Sequence, residues 1–155
     1  LIGGTTMSIV KILSFTATCS TAIIALTAIL LLLSMSIQNK AAGAVTCLIV
    51  TLVMMFAALT IYQRLNAPEY YDAYSFVNED TGKTISVDKE QNTKYLSGTK
   101  REVYEFMNDF LPISQLYQVA MNVSDNLMLI IIYDCIIIIA SMGIGVTIFK
   151  KKDLK

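Results

Sequence analysis

Asp134 is the residue whose type and position could do chemistry, because it is the one charge inside a long apolar stretch. The stretch runs from Asn126 to Phe149 and reads NLMLIIIYDCIIIIASMGIGVTIF. An ionisable side chain at membrane depth usually faces the interior of a helix bundle or a wet cavity. Asp134 is therefore a candidate for a substrate path. A structural role, with Asp134 protonated or hydrogen-bonded to Ser, Thr or Tyr side chains of other spans, is equally open.

Other chemistry finds little support in the residue types. The chain contains no histidine, which removes His-dependent triads and imidazole metal ligands. An intramembrane aspartyl protease needs two carboxylates that share a proton, and no second acid lies inside an apolar stretch. Cys19, Cys47 and Cys135 all fall in apolar stretches, where single thiols behave as small hydrophobic side chains. We expect no catalytic residue, cofactor or metal site.

Three apolar stretches are long enough to cross a bilayer as helices. They are residues 12–39, 41–63 and 126–149, and hydrophobic residues make up 55% of the chain against 15% charged. A bilayer core of about 30 Å needs about 20 apolar residues in a helix. Hydroxyl side chains crowd the start of the first stretch, where we expect them to bond to their own helix backbone: Thr16, Thr18, Ser20, Thr21 and Thr27.

Charge distribution predicts the orientation of these stretches. Residues 64–125 hold six basic and ten acidic side chains, whereas the short connection holds Lys40 and the end of the chain holds Lys150, Lys151, Lys152 and Lys155. Basic residues favour the cytoplasmic side. Lys40, Lys150, Lys151 and Lys152 are therefore the predicted topology determinants, and residues 64–125 are predicted to face outward. This acidic segment gives no indication of nucleic-acid binding.

The outward segment has structure of its own. Residues 74–77 and 84–87 flank a turn-rich cluster and predict a β-hairpin. Residues 88–94 read as a solvated connector. Thr99 and Glu102 have the spacing of a capping box, which predicts a helix beginning at Thr99. Its apolar stripe comprises Val103, Phe106, Met107, Phe110 and Leu111.

A second short helix is expected beyond Pro112, which ends or kinks the first. Its predicted apolar stripe comprises Ile113, Leu116, Tyr117 and Ala120. The two helices could lie on the bilayer, dip into it or cap the bundle, or they could pack on their own hairpin. An aromatic belt at the lipid interface is a further expectation, to which we assign Tyr62, Tyr70, Tyr71 and Tyr74.

These patterns predict an all-α membrane protein of three transmembrane helices with an extracytoplasmic segment, a small β-hairpin plus amphipathic helices, between the second and third. The parts are an outer lead-in (1–11), a transmembrane helical hairpin (12–63), an extracytoplasmic loop (64–125), a final transmembrane helix (126–149) and a basic cytoplasmic tail (150–155).

Four segments together resemble permeases of the ABC-2 type, the membrane subunits of bacterial ABC transporters. Residues 36–42 look like the turn between the fourth and fifth spans of such permeases, and residues 61–71 look like the exit of the fifth. Residues 94–106, followed by 109–112, are similar to the outer helical stretch of a Gram-positive subgroup, and 148–155 look like the ending after the sixth span. The resemblance covers most of residues 14 to 155.

The resemblance implies a function in ATP-driven export. Two six-span permease halves associate in that family, and cytoplasmic ABC ATPases bind them and supply the energy. We expect this chain to be a carboxy-terminal half in a bacterial plasma membrane, whose partners are an ATPase subunit, a second permease copy or homologue, and the lipid bilayer. ATP hydrolysis belongs to the partner, since the chain has no phosphate-binding glycine-rich loop. The alternative is a membrane-anchored extracytoplasmic binding or sensing module.

Overall fold

The computed structural model describes residues 8–79, 82–122 and 126–153, with side chains through Lys150. The predicted lead-in therefore lies mostly outside the described residues, as does the end of the basic tail. Five helices and two short antiparallel sheets occupy these ranges.

Three of the helices are long and apolar enough to span a membrane, as the sequence predicts. They are α1 (Ile9–Ser36), α2 (Lys40–Leu65) and α5 (Leu127–Asp153). Their bounds lie within a few residues of the predicted ones, except that α5 continues helically into the predicted tail. Thr16, Ser20 and Thr27 each donate to the carbonyl four residues earlier, so these hydroxyls bond to their own helix as expected.

A tight turn joins α1 to α2. The backbone of Ile37 is extended, which ends α1. The side chain of Asn39 then accepts from the amides of Ala41 (2.9 Å) and Ala42 (3.3 Å), which caps the start of α2. The two helices consequently run antiparallel, and Lys40 lies at their shared end.

The final helix α5 packs most extensively on α1, side by side and in the same direction. Ser141 is buried at this contact, and a Cβ at Gly145 would stand in ordinary van der Waals contact with Leu32, at 3.9 Å. An apolar groove of about 680 Å³ lies between the last turns of both helices, with Met35, Phe149 and Lys150 among its lining residues. Lys150 is therefore at the same end as Lys40.

Two antiparallel strand pairs follow α2, one pair continuing the other, and together they form a ribbon. The strands are β1 (Tyr70–Tyr71), β2 (Tyr74–Val77), β3 (Thr84–Val87) and β4 (Glu90–Gln91). The pair β2 and β3 is the predicted hairpin, in the register Tyr74 with Val87. The predicted connector, residues 88–94, is solvated except at Asn92, which is buried, but it is not free of secondary structure, because it contains β4, which pairs with β1. The Asn92 amide donates to Pro68 O at 2.8 Å, which ties the base of the ribbon.

Two helices return the chain toward the bundle. They are α3 (Thr99–Phe110) and α4 (Pro112–Ala120). The predicted capping box is wrong, because Gly98 rather than Thr99 is the N-cap and no side chain caps the helix. Gly98 has φ +56°, and its carbonyl accepts from the amides of Arg101 and Glu102. Pro112 ends α3 as predicted, and α4 begins at that proline.

The α3–α4 hairpin, residues 99–120, inserts among the three long helices. α4 packs on α1 and α2, and α3 packs on α2 and α5. The connection at Phe110, Leu111 and Pro112 borders the same cavity as Ile29, Met54 and Ile137. Met54 and Ile137 lie near the midpoints of α2 and α5. The tip of the hairpin therefore reaches about half the length of these helices.

Candidate functional site

Asp134 on α5 is fully buried, with 0% of its surface exposed, in the bundle where α5 and α4 each pack on α1. Thr21 of α1 and Gln115 of α4 are the polar side chains that face its carboxylate. Gln115 is also 0% exposed. Neither side chain reaches hydrogen-bond geometry with Asp134, so both carboxylate oxygens are without a hydrogen-bond partner among the described residues.

Thr21 and Gln115 each donate one hydrogen bond to a backbone carbonyl. The Thr21 hydroxyl donates to Thr18 O at 3.0 Å, and the Gln115 amide donates to Asp109 O at 2.8 Å. The Gln115 Oε1 atom is buried and has no partner within the described ranges either. Three acceptor oxygens, two on Asp134 and one on Gln115, thus lie in the interior without a donor. Such groups are rare in folded proteins and call for an explanation.

The second short helix is present as predicted, but its apolar stripe is not its buried side, because α4 buries mainly polar residues. Ser114, Gln115 and Gln118 are buried, whereas Ala120 is exposed and Ile113 is only half-buried. The reason lies at the end of α3, where Pro112 leaves carbonyls without helical partners. Polar side chains one helix later supply the missing donors.

These bonds tie the two arms of the hairpin together. The Gln118 amide donates to Asn108 O at 2.8 Å and to Asp109 Oδ1 at 3.1 Å. The Ser114 hydroxyl donates to Asn108 Oδ1 at 2.5 Å. The α3–α4 connection is therefore specified by side chains of α4 that bond to α3, and the hairpin has a defined shape where it lies deepest in the bundle.

Aromatic contacts hold the hairpin against the long helices. Phe106 and Phe110, one turn apart on α3, each place a ring 5.8 Å from the Tyr133 ring, edge-on. On the other side, Tyr117 of α4 lies 5.0 Å from the ring of Tyr62 on α2. Such pairs contribute about 0.5–1.5 kcal/mol beyond the area they bury. The predicted belt residue Tyr62 therefore packs on the hairpin, whereas Tyr70, Tyr71 and Tyr74 are exposed on the ribbon.

A polar cavity of about 480 Å³ opens at the ribbon end of the bundle. The ion pair of Arg101 with Glu105 (2.8 Å) lies at its wall, next to Asp109 and Gln118. Burial raises the pKa of Asp109, the Gln118 hydrogen bond opposes this, and Glu105 adds to it. Asp109 and Gln118 line the cavity and are hydrogen-bonded to each other near the tip of the hairpin. The backbone carbonyl of Asp109 also accepts from the side chain of Gln115.

The predicted site residues lie in three separate places: the bundle interior, α3, and the end of the bundle opposite the ribbon. Asp134 lies at the centre of the bundle. Of the predicted α3 stripe, Phe106 and Phe110 touch α5, whereas Val103 is half exposed and the stripe has no fully buried member. Lys40 and Lys150 lie together at the far end. The side chains of Lys151 and Lys152 lie outside the described residues, and no group that could hold a metal ion occurs among those described.

Gln115 and Gln118 were missed from sequence because only apolar positions of the second helix were counted. Ser114, Gln115 and Gln118 recur at i, i+1 and i+4, which is a continuous polar stripe on a helix. A continuous polar stripe on a helix beside apolar spans indicates buried hydrogen bonds, and that pattern could have identified these residues from the sequence.

Comparison of the chain with family models, with curated proteins and with solved structures gives no match. The function must therefore be argued from the geometry.

Proposed function

We propose that this chain is a membrane-spanning part of an ATP-driven ABC-2 type export permease, in which the α3–α4 hairpin forms the outer gate. The observation that carries the proposal is the insertion of this hairpin to half the length of three apolar helices. In a bilayer such a hairpin would enter and leave on one side. Non-helical backbone at membrane depth is tolerated where it lies within protein or lines a cavity.

The exposed apolar surfaces of the long helices support the proposal that this chain assembles with other subunits. In the most apolar 18-residue segment of each long helix, only 17% (α1), 11% (α2) and 22% (α5) is buried. Large apolar residues such as Val53, Phe56 and Ile139 are more than half exposed. Lipid covers such faces in a membrane, and so would further spans or a second permease copy. An ATPase subunit at the cytoplasmic side would supply ATP hydrolysis.

The predicted orientation also fits this proposal. Lys40 and Lys150 lie at the end opposite the hairpin and the ribbon, so a cytoplasmic location for both follows from the preference of basic residues for that side. The bacterial plasma membrane is the compartment that the proposed family implies. The polar cavity and the hairpin would then face outward, where an exporter releases its substrate.

Co-purification tests the proposed subunit composition. The full gene product, expressed with an ABC ATPase encoded beside it, is expected to retain that ATPase through detergent extraction and affinity purification. The same ATPase with a substitution in its coupling surface serves as the matched control. A permease that purifies without the ATPase, in cells that do not need that ATPase, would sink the proposal.

Cross-linking tests the gate. In the complex lacking its native cysteines, Y62C with Y117C can be bridged by a short bifunctional thiol reagent, because the native rings are 5.0 Å apart. Bridging is expected to lower the ATP turnover of the reconstituted complex, and a cleavable reagent should restore it. Y62C alone, treated identically, is the control. Unchanged turnover after complete bridging would rule out movement of the hairpin during the cycle.

The alternative, a separate outer sensing module, is tested by isolating residues 68–122. Because α4 buries its polar side against α1, α2 and α3, we expect this fragment to unfold or aggregate. A soluble, folded fragment that binds a ligand would favour the sensing module instead.

A further inference from the structure

We propose that the apolar groove between α1 and α5 holds an anionic phospholipid, whose acyl chains fill the groove and whose headgroup contacts Lys150. Lipid binding here requires only that these two helices cross a bilayer, so it goes beyond the transport proposal. The two can fail separately, because one is tested by bound lipid and the other by a retained ATPase.

The groove runs along the helices rather than across them. On α1 its lining residues include Ala28, Leu32 and Met35, which are spaced i, i+4 and i+7 and therefore share one face. On α5 they include Met142 and Phe149, which are seven residues apart and also share a face. A volume of about 680 Å³ lies between these two stripes. The stripes are therefore the walls of one elongated apolar groove.

The length of the groove matches one leaflet of a bilayer. Its lining residues on α5 extend from Ser141 to Lys150, which is about 13 Å along a helix. Half of a hydrocarbon core of about 30 Å is about 15 Å. With Lys150 at the interface, Ser141 therefore lies near the middle of the bilayer. An acyl chain that enters beside Lys150 reaches the bottom of the groove within its own leaflet.

The groove is closed by the two helices at its floor and open at its rim. Ser141 and Gly145 are buried at the floor, and a Cβ at Gly145 would stand 3.9 Å from Leu32. At the rim, Leu31 is 59% exposed and Met142 is 63% exposed. A lipid chain can therefore enter from the surrounding membrane without separating α1 from α5.

Charge selects an anionic occupant. Among the described residues that line the groove, only Lys150 is charged, and it forms no ion pair with any side chain that the structure describes. A lysine can cover apolar surface with its stem and keep its charge at the interface, and basic pockets between membrane helices bind anionic headgroups. A lipid with a net negative headgroup complements both the apolar walls and Lys150, whereas a zwitterionic lipid complements only the walls.

Native mass spectrometry of the full chain, released from nanodiscs, tests the class of lipid. The nanodiscs hold equimolar phosphatidylglycerol and phosphatidylcholine with the same acyl chains, and phosphatidylglycerol is expected to be enriched among the lipids that stay bound. K150Q should lower this enrichment about fivefold. K40Q is the matched control, because it removes the same charge at the same end of the bundle from a residue outside the groove lining, and it should leave the enrichment close to that of wild type.

Three results of this measurement would overturn the proposal. Equal retention of the two lipids would remove the selection by charge. Equal effects of K150Q and K40Q would assign the enrichment to the general charge of this end. A chain that retains neither lipid would leave the groove to another occupant, such as a further helix.

Photo-cross-linking tests the location of the acyl chain. Phosphatidylglycerol with a diazirine on one chain, added to the same nanodiscs, is expected to label the groove peptides of α1 and α5 more strongly than α2, whose Val53 and Phe56 are more than half exposed. A28F should fill the groove and lower this labelling. A44F, which adds the same ring to an exposed position of α2 at the same end, should leave it unchanged.

Labelling in proportion to exposure alone would show that the groove contacts only bulk lipid, and so would groove labelling that A28F does not change. The wild-type comparison of the groove with α2 decides the question even where A28F fails to fold.

Discussion

At the scale of single residues, Asp109 is an acid outside the long helices whose surroundings shift its pKa. Burial raises its pKa above the usual 3.8, the hydrogen bond from Gln118 lowers it, and the nearby charge of Glu105 raises it. The folded chain therefore holds this proton to higher pH than the unfolded chain does. Where the folded state binds more protons, stability falls as pH rises.

The contribution of Asp109 to stability is expected to decrease as pH rises from about 3.8 through its raised pKa, and to level off above it. D109N keeps an oxygen for Gln118 but removes the titration, so the variant should lose this part of the pH dependence and be at least as stable as wild type at neutral pH. Thermal unfolding in detergent across this range measures both chains.

The control for this measurement is E102Q, which removes an exposed acid from the same helix. It should leave the pH dependence of unfolding close to that of wild type. A D109N chain with an unchanged pH profile would show that the surroundings of Asp109 are not those described here.

At the scale of elements, the long helices and the β-hairpin are set by local pattern, whereas the position of the α3–α4 hairpin is not. Apolar runs and the strands around a turn cluster predict α1, α2, α5, β2 and β3 correctly. The start of α3 at Thr99 is predicted correctly, but its cap is not, because Gly98 supplies the turn by its φ rather than by a capping side chain. The buried side of α4 is not predictable from periodicity alone, because its polar residues are buried through hydrogen bonds to α3.

The same start of α3 gives an element-scale prediction. Gly98 has φ +56° and ψ −143°, a conformation that side chains beyond glycine rarely adopt, so G98A is expected to cost about 1–3 kcal/mol. Nothing lies within 4 Å of the position where a Cβ would stand, so the cost comes from the backbone alone. G143A is the matched control, because it lies in a regular helix with equally open surroundings.

Proteolysis of the hairpin and thermal unfolding would report the effect of the two glycine variants. G98A should lower the unfolding temperature and expose residues 99–120 to cleavage, whereas G143A should leave both unchanged or slightly improved. Equal behaviour of the two variants would contradict the assigned N-cap.

At the scale of the whole molecule, the chain is asymmetric between its two ends. The ribbon, the polar cavity and the acidic side chains of α3 lie at one end, and Lys40, Lys150 and the apolar groove lie at the other. Span number and charge bias predict this arrangement from sequence. The burial of Gln115 in the same bundle as Asp134 is not predictable in this way, because it requires knowing that α4 packs on α1 and α2.

The orientation can be measured with single cysteines in intact cells. The background should carry C19A, C135A and C47S, since the Cys47 thiol donates to Leu30 O at 3.4 Å and serine keeps a donor there. S75C on the exposed ribbon should react with a membrane-impermeant maleimide added outside. Q38C in the tight turn should react only after the membrane is permeabilised, because Lys40 and Lys150 at the same end favour the cytoplasmic side. The reverse pattern would turn the hairpin and its polar cavity toward the cytoplasm, where they could not form the outer gate of an exporter.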